Sequence, residues 1–185
     1  MKSLADFEFN KAPLCDGMIL ISQLIRDDFP TQDVYDRLQS LVALAREEIS
    51  GGLHQDIQLE KLLELFYGEW GFQDSRGIYK LSDALWLDKV LENRQGSAVA
   101  LGAILLWVAE QLDIPLMPVI FPTQLILRAD WMDGEMWLIN PFNGEPSPSG
   151  SITSRTMTSK RCCASSAFIR VASAAVVASS PWRRR

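Results

Sequence analysis

The spacing of apolar residues divides the chain into five helical stretches followed by strands. From Leu14 to Phe29 the apolar positions Leu14, Met18, Ile21, Leu24 and Ile25 form a helical stripe. Pro30 stops that helix, and Thr31 stands where it can cap the next. Val34, Leu38, Leu41, Val42 and Ala45 make the inner face of the second. A third is predicted from about Asp56 to Tyr67, with Leu59, Leu62, Leu63 and Phe66 on one side. Gly71 to Gly77 reads as a turn-rich link. Ser82 caps a fourth helix carrying Leu85, Val90 and Leu91, and the fifth runs from about Ala98 to Leu112. Its uncharged run, Ala98 to Ala109, is too short to span a bilayer.

After Pro115 the period changes to two. Met117 to Phe121 is a short strand flanked by proline. Gln124 to Ala129 alternates Leu125, Leu127 and Ala129 against Gln124, Ile126 and Arg128. Asp133-Gly134 signals a hairpin, and Glu135 to Asn140 returns with Trp137 and Ile139 on one face. Helices first and an antiparallel sheet after them define an α+β fold, an N-terminal helical bundle joined to a small sheet.

Composition narrows the class. A chain of 185 residues, 48% hydrophobic and 22% charged, has the balance of a globular protein with one core. MKSLADFEFNK contains no signal-peptide apolar region, so a cytoplasmic location is expected. Three cysteines, two of them adjacent, make no disulfide framework. One histidine and no Cys/His spacing leave no zinc site. With no phosphate-cradling glycine loop and no dinucleotide fingerprint, neither cofactor nor metal is expected.

The net charge of −5 conceals a boundary near Glu145. Up to Glu145 there are 11 Lys and Arg against 23 Asp and Glu, a charge of −12. From Pro146 to Arg185 there are 7 basic residues and no acidic one, with ten serines and no visible period. An acidic core is not expected to bind nucleic acid, and no membrane association is expected. The chain therefore divides into a core, 1–145, and an unstructured basic Ser-rich tail, 146–185. The tail has three readings: a disordered arm, an arm that binds nucleic acid or membrane, or a segment read in the wrong frame. The third has support in the codons. With Ser159 as TCN and Arg161 as CGN, moving the frame of Met157 to Ala164 back by one base permits Asp-Asp-Val-Glu-Ala-Leu-Leu-Arg, an acidic amphipathic helix like those of the core.

Candidate chemistry is sparse. Ser97 follows Gly96 and opens the fifth helix, as a nucleophile would, but the only His is His54, in a Gly-rich loop; an N-cap role is preferred. Cys15 reads as a buried thiol. Asp130, Asp133 and Glu135 cluster at the hairpin, where a solvated turn is preferred over a cation site. Arg94 could hold an anion, but a pair with Glu92 or Asp88 is preferred. Trp86, Trp107 and Trp137 read as core. Trp70, between glycines in YGEWGF, is read as core before groove.

Three segments taken together, LFYGEWGF with VLENRQG, ALGAILLWVAEQLDIPL, and PTQLILRADWMDGEMWLINPFNG, resemble the transglutaminase-like (papain-like) core of the bacterial SirB, or YchA-type, proteins. The resemblance covers about Met1 to Glu145. It implies a Cys-His-Asp triad, with Cys opening the long helix, His the next strand, and Asp ending the strand after it. Matching Arg94, Gly96 and Asp113-Ile114-Pro115 to the family pattern puts the Cys position on Ala98, 17 residues before Pro115. The His position falls on Gln124 and the Asp position on Asn140. Alanine has no nucleophile, glutamine is no general base near neutrality, and asparagine cannot stabilise an imidazolium by charge. Gln124 and Asn140 could hydrogen-bond each other across the strands.

The resemblance implies a truncated core that normally runs on into tetratricopeptide-like repeats, which favours the frameshift reading of the tail. It implies a non-catalytic module for a protein or peptide partner, with Arg94, Ser97 and Trp70 as cleft residues and, by family name, a link to invasion-gene regulation. The alternative is a hydrolase with relocated residues, Cys15 or Ser97 as nucleophile and a carboxylate such as Asp83 as base.

Overall fold

A computed structural model describes residues 13–49, 51–75, 81–120, 124–131, 136–144 and 146–147. Among them are six α-helices: α1 (Leu14–Ile25), α2 (Thr31–Glu48), α3 (Gln55–Leu63), α4 (Leu81–Leu85), α5 (Leu87–Asn93) and α6 (Ala98–Gln111). Strands β1 (Gln73–Asp74) and β2 (Gln95–Gly96) pair in parallel. Strands β3 (Leu116–Ile120), β4 (Leu125–Asp130), β5 (Met136–Ile139) and β6 (Pro146–Ser147) form an antiparallel sheet in that order.

A helix that is apolar on every side must be surrounded, and α6 is. Ala100, Leu101, Ala103, Ile104, Leu105, Val108 and Ala109 have no exposed surface. The helix packs against α1 and α2 and against β3 and β4. Gly102 permits the close approach to the sheet, since a Cβ there would lie 2.7 Å from Cδ2 of Leu125. Registry pairs Leu127 with Ile139 and Ala129 with Trp137, and these residues are buried as the alternation predicts.

The five inner residues expected of α2 are its buried ones. Four expectations need correction. Thr31 is the first helical residue and not the cap; its Oγ1 accepts from Nε2 of Gln23 at 2.6 Å. The third helix leaves α geometry after Leu63 and makes one wide π-helical turn, Glu64–Glu69, which sets the Phe72 ring on Phe66 at 4.3 Å. The fourth begins at Leu81, so Ser82 is its second residue and not its cap, and it divides at Trp86, whose backbone is extended (φ −70°, ψ 120°). Trp86 is accordingly half-buried and not core, with the Arg26 guanidinium 5.3 Å from its ring.

The fourth correction concerns α1. Its buried residues are Cys15, Gly17, Ile19, Leu20 and Ser22, while Leu14, Ile21, Leu24 and Ile25 of the predicted stripe are exposed. The helix is apolar around most of its circumference, so period alone does not select a face. The side turned inward carries the small residues, which suits close packing on α6. The Ser22 hydroxyl is satisfied by donating to the Met18 carbonyl at 2.7 Å.

Strand β1 lies inside what reads as a link, and β2 in the turn before α6; neither is expected from the pattern. Pro146 and Ser147, just past the charge boundary, pair with β5. The Asp133-Gly134 turn and the rest of the basic segment lie outside the described residues. Among the described residues no helix is long and apolar enough to cross a membrane.

The two isoleucines of α1 test its orientation. Ile19→Ala should cost about 2–5 kcal/mol, and Ile21→Ala distinctly less, both read from urea unfolding. The reverse order would turn the helix over.

Candidate functional site

The turn into α6 is fixed by its backbone. Arg94 ends α5 in the left-handed region (φ 58°), and its carbonyl accepts from the Gln73 N–H at 2.9 Å, which joins β1 to β2. The Ser97 N–H donates to the Ala84 carbonyl at 2.8 Å. Ser97 is the N-cap of α6, its Oγ accepting from the Ala100 N–H at 3.3 Å. Ala98 follows as the first helical residue, 8% exposed.

Gly102 lies one helical turn after Ala98 on the same face of α6. A Cβ on Gly102 would touch Leu125, at the start of β4, and lie 3.6 Å from Cβ of Pro141, just past the end of β5. In an antiparallel pair the start of one strand and the end of the next share an edge. Leu125 and Pro141, the residues that follow Gln124 and Asn140, therefore meet α6 one turn along from Ala98.

Asn140 is already engaged there. Its Oδ1 accepts from the Phe142 N–H at 3.1 Å, and its carbonyl accepts from the Gly144 N–H at 2.9 Å. Gln124 is exposed, and no hydrogen bond joins it to Asn140 among the described residues. The registry explains this: with Leu127 opposite Ile139, Asn140 falls opposite Ile126, two residues from Gln124.

An aromatic cluster ties the two sides together. The Tyr67 hydroxyl donates to the Pro141 carbonyl at 2.8 Å, and burial raises its pKa, so it remains a donor. Tyr67 meets Phe66 edge to face at 4.9 Å, and Phe66 stacks on Phe72. The Arg94 guanidinium lies 4.7 Å from the Phe72 ring centroid. Trp70 is half-buried, edge-on to Phe66 at 6.1 Å. A continuous line of contacts thus runs from Arg94 to the turn after Asn140.

Arg94 does not make the carboxylate pair expected of it. Asp88 is held by Arg26 through two 3.1 Å hydrogen bonds, and Glu92 by Lys89 at 3.0 Å. The left-handed cap turns Arg94 away from both and over Phe72. Its Nη1 is buried without a partner among the described residues. Burial, and secondarily the charge of Arg37, lowers its pKa.

The relocated nucleophiles do not meet a base. Cys15 is fully buried, and desolvation, with a smaller contribution from Asp16, pushes its thiol up to about 12. Asp83 accepts from Ser82 Oγ at 3.4 Å, and His54 Nδ1 lies 2.6 Å from Asp56 Oδ1. Among the described residues neither Cys15 nor Ser97 donates a hydrogen bond to either group. Asp130 pairs with Arg128 at 2.7 Å. Asp133 and Glu135 lie outside the described residues, and no three metal-binding side chains cluster among those described.

This geometry puts a helix N-terminus against the edge of an antiparallel sheet, and the family profile described as transglutaminase-like superfamily matches residues 32–177. The chain belongs to the transglutaminase-like superfamily. It is 77% identical over 145 residues to protein SirB1 of Salmonella typhimurium and 73% identical to the UPF0162 protein YchA of Escherichia coli K12. A UPF0162 protein of Buchnera aphidicola from Schizaphis graminum is 53% identical over the same length. Each match covers 78% of this chain and 54% of the relative, so the chain spans about half the length of the curated relatives it matches. No solved structure matches it.

Sequence reading of this transglutaminase-like domain missed Tyr67, Phe72 and Gly144. Gly144 is required at its place: its φ is 68°, and a Cβ would lie 2.6 Å from the Tyr67 ring. The Asn-Gly pair at 143–144 was the available signal.

Gly144→Ala should cost about 1–3 kcal/mol and disturb the Tyr67 resonances, seen by thermal melting and NMR. Ser97→Ala should cost about 1 kcal/mol. For Cys15, the unfolded thiol ionises near the ordinary 9.0 while the folded one stays protonated to about 12. The unfolded state therefore holds fewer protons above 9, and the contribution of Cys15 to stability falls between pH 9 and 12. Cys15→Ala should flatten that fall in a pH series of urea midpoints.

Proposed function

We propose that this transglutaminase-like domain is a non-catalytic module that presents its cleft to a peptide or protein partner. The observation that supports the reading is that Gly102, one turn along α6 from Ala98, packs on Leu125 and Pro141, the residues that follow Gln124 and Asn140, the positions matched to His and Asp. On the match to the family pattern, the positions of nucleophile, base and charged orienting group hold the neutral residues Ala98, Gln124 and Asn140. The partly buried Arg94, unpaired at Nη1, and the half-buried Trp70 give the neighbourhood an anion-pairing group and an aromatic surface, both suited to a peptide. A cytoplasmic role in regulating invasion genes belongs to the same proposal, as what the resemblance to the SirB family implies by name.

We further propose that the native protein runs on past Glu145 with acidic helical sequence. The support is the charge boundary, the shifted-frame reading, and relatives nearly twice as long as the matched region. Sequencing the gene across codons 140 to 185 tests this: one inserted or deleted base near Glu145 is expected, and an intact frame would refute it.

Ala98→Cys should give no thiol-dependent amide or ester hydrolysis above background, because the base is absent as well. Adding Gln124→His and Asn140→Asp should lower the pKa of the new thiol, measured by the pH dependence of iodoacetamide alkylation. Turnover in the single variant would end the non-catalytic reading.

A further inference from the structure

A pocket lies between α2 and α6, at the opposite end of α6 from Ser97. Gln39, Val42, Ala43 and Arg46 of α2 and Trp107 and Gln111 of α6 line about 300 Å³. That volume is at the small end of ligand sites. Val42, Ala43 and the Trp107 ring supply an apolar wall, and Gln39 and Gln111 supply side-chain amides. Neither amide makes a hydrogen bond among the described residues. Charge distinguishes the place further. Of the five arginines among the described residues, Arg26, Arg37 and Arg128 each face a carboxylate, at 3.1, 2.9 and 2.7 Å. Arg94 lies over Phe72 in the site described above. Arg46 lines this pocket, where there is no carboxylate, and it makes no ion pair among the described residues. Its Nη2 donates to the Gln111 carbonyl at 2.9 Å. That bond joins the last turn of α2 to the last residue of α6 and holds the guanidinium in place. A carbonyl carries no net charge, so the cation is oriented but not neutralised.

We propose that this pocket binds a monocarboxylate with a small apolar body, either as a free acid or as the C-terminal residue of a peptide. The carboxylate pairs with Arg46, and the body lies against Val42, Ala43 and Trp107. A single cation matches a single negative charge, whereas a phosphate dianion would bring an uncompensated charge into an acidic core. The apolar wall favours an organic body and offers nothing to an inorganic anion. The amides of Gln39 and Gln111 can donate to a carboxylate oxygen or accept from a peptide N–H. Because the Gln111 carbonyl already holds Arg46, pairing there costs less side-chain freedom than at an unrestrained surface arginine. The site does not rest on the non-catalytic reading of the cleft at the other end of α6.

Amide NMR titration of the full chain tests this. The probes are isovalerate and N-acetyl-leucine, with N-acetyl-leucinamide as the neutral control. The expected result is a saturable shift of the Val42, Ala43 and Gln111 resonances with both acids, and binding about tenfold weaker for the neutral amide. Tighter binding of N-acetyl-leucine than of isovalerate assigns the site to a peptide terminus, and equal or weaker binding assigns it to a free acid. Arg46→Gln should weaken both acids about tenfold and leave the neutral amide unchanged. Ala43→Phe should fill the pocket and weaken all three probes. Ala43 and Arg46 are exposed, so neither change touches the core, and circular dichroism verifies that both variants are folded. Acids that bind no better than the neutral amide would show that the pocket does not read charge. Binding unchanged by Arg46→Gln or by Ala43→Phe would place the acid elsewhere on the chain. Either result, or the absence of a saturable shift at these residues, overturns the proposal.

Discussion

Burial of α6 is the constraint on which the other elements depend. A helix with no polar face cannot lie on a surface, so α1, α2 and the sheet are arranged around it, and each must offer apolar or small residues to do so. Gly102 sets how closely the sheet approaches, and Cys15, Gly17 and Ser22 lie on the inner side of α1. The site follows from the same requirement. Burying α6 along its length fixes where its N-terminus emerges, and that is where the strand ends converge.

On the reading proposed above, the domain lacks reacting groups at that place. Loss of a nucleophile alone could leave a protonatable base, but all three positions matched to the implied triad hold residues that do not ionise. The local electrostatics then come from Arg94, held over Phe72 and away from the carboxylates nearest in sequence. A partly desolvated guanidinium whose Nη1 has no hydrogen-bond partner among the described residues is costly. On the reading proposed above, it is the counterpart of a carboxylate carried by a peptide.

How much could be read from sequence varied with how one-sided each element is. The inner face of α2 was read residue by residue, because Val34, Leu38, Leu41, Val42 and Ala45 are its main apolar set and its other positions are mostly polar. The face of α1 was read backwards, because apolar residues run around most of it and only the shape of its neighbour decides. The strands were placed to within a residue by alternation, but β1 and β2 escaped notice, since two residues carry no period. In the site, Ala98, Gln124 and Asn140 could be placed only through likeness to a family pattern. The pairing of Arg94 was misjudged because Asp88 and Glu92 are close along the chain while α5 ends in a left-handed turn that carries Arg94 past them. Tyr67 was out of reach, since its partner, Pro141, is 74 residues away.

The bond from Tyr67 to Pro141 has a thermodynamic consequence. The loop leaving the sheet is held by a ring packed on Gly144 and a hydroxyl fixed to the backbone, in addition to its own turn hydrogen bonds. A visitor at this edge would meet a surface whose disorder was already removed when the chain folded. Its association would then be limited by its own loss of freedom, and the heat released would report contacts made and not a loop being organised.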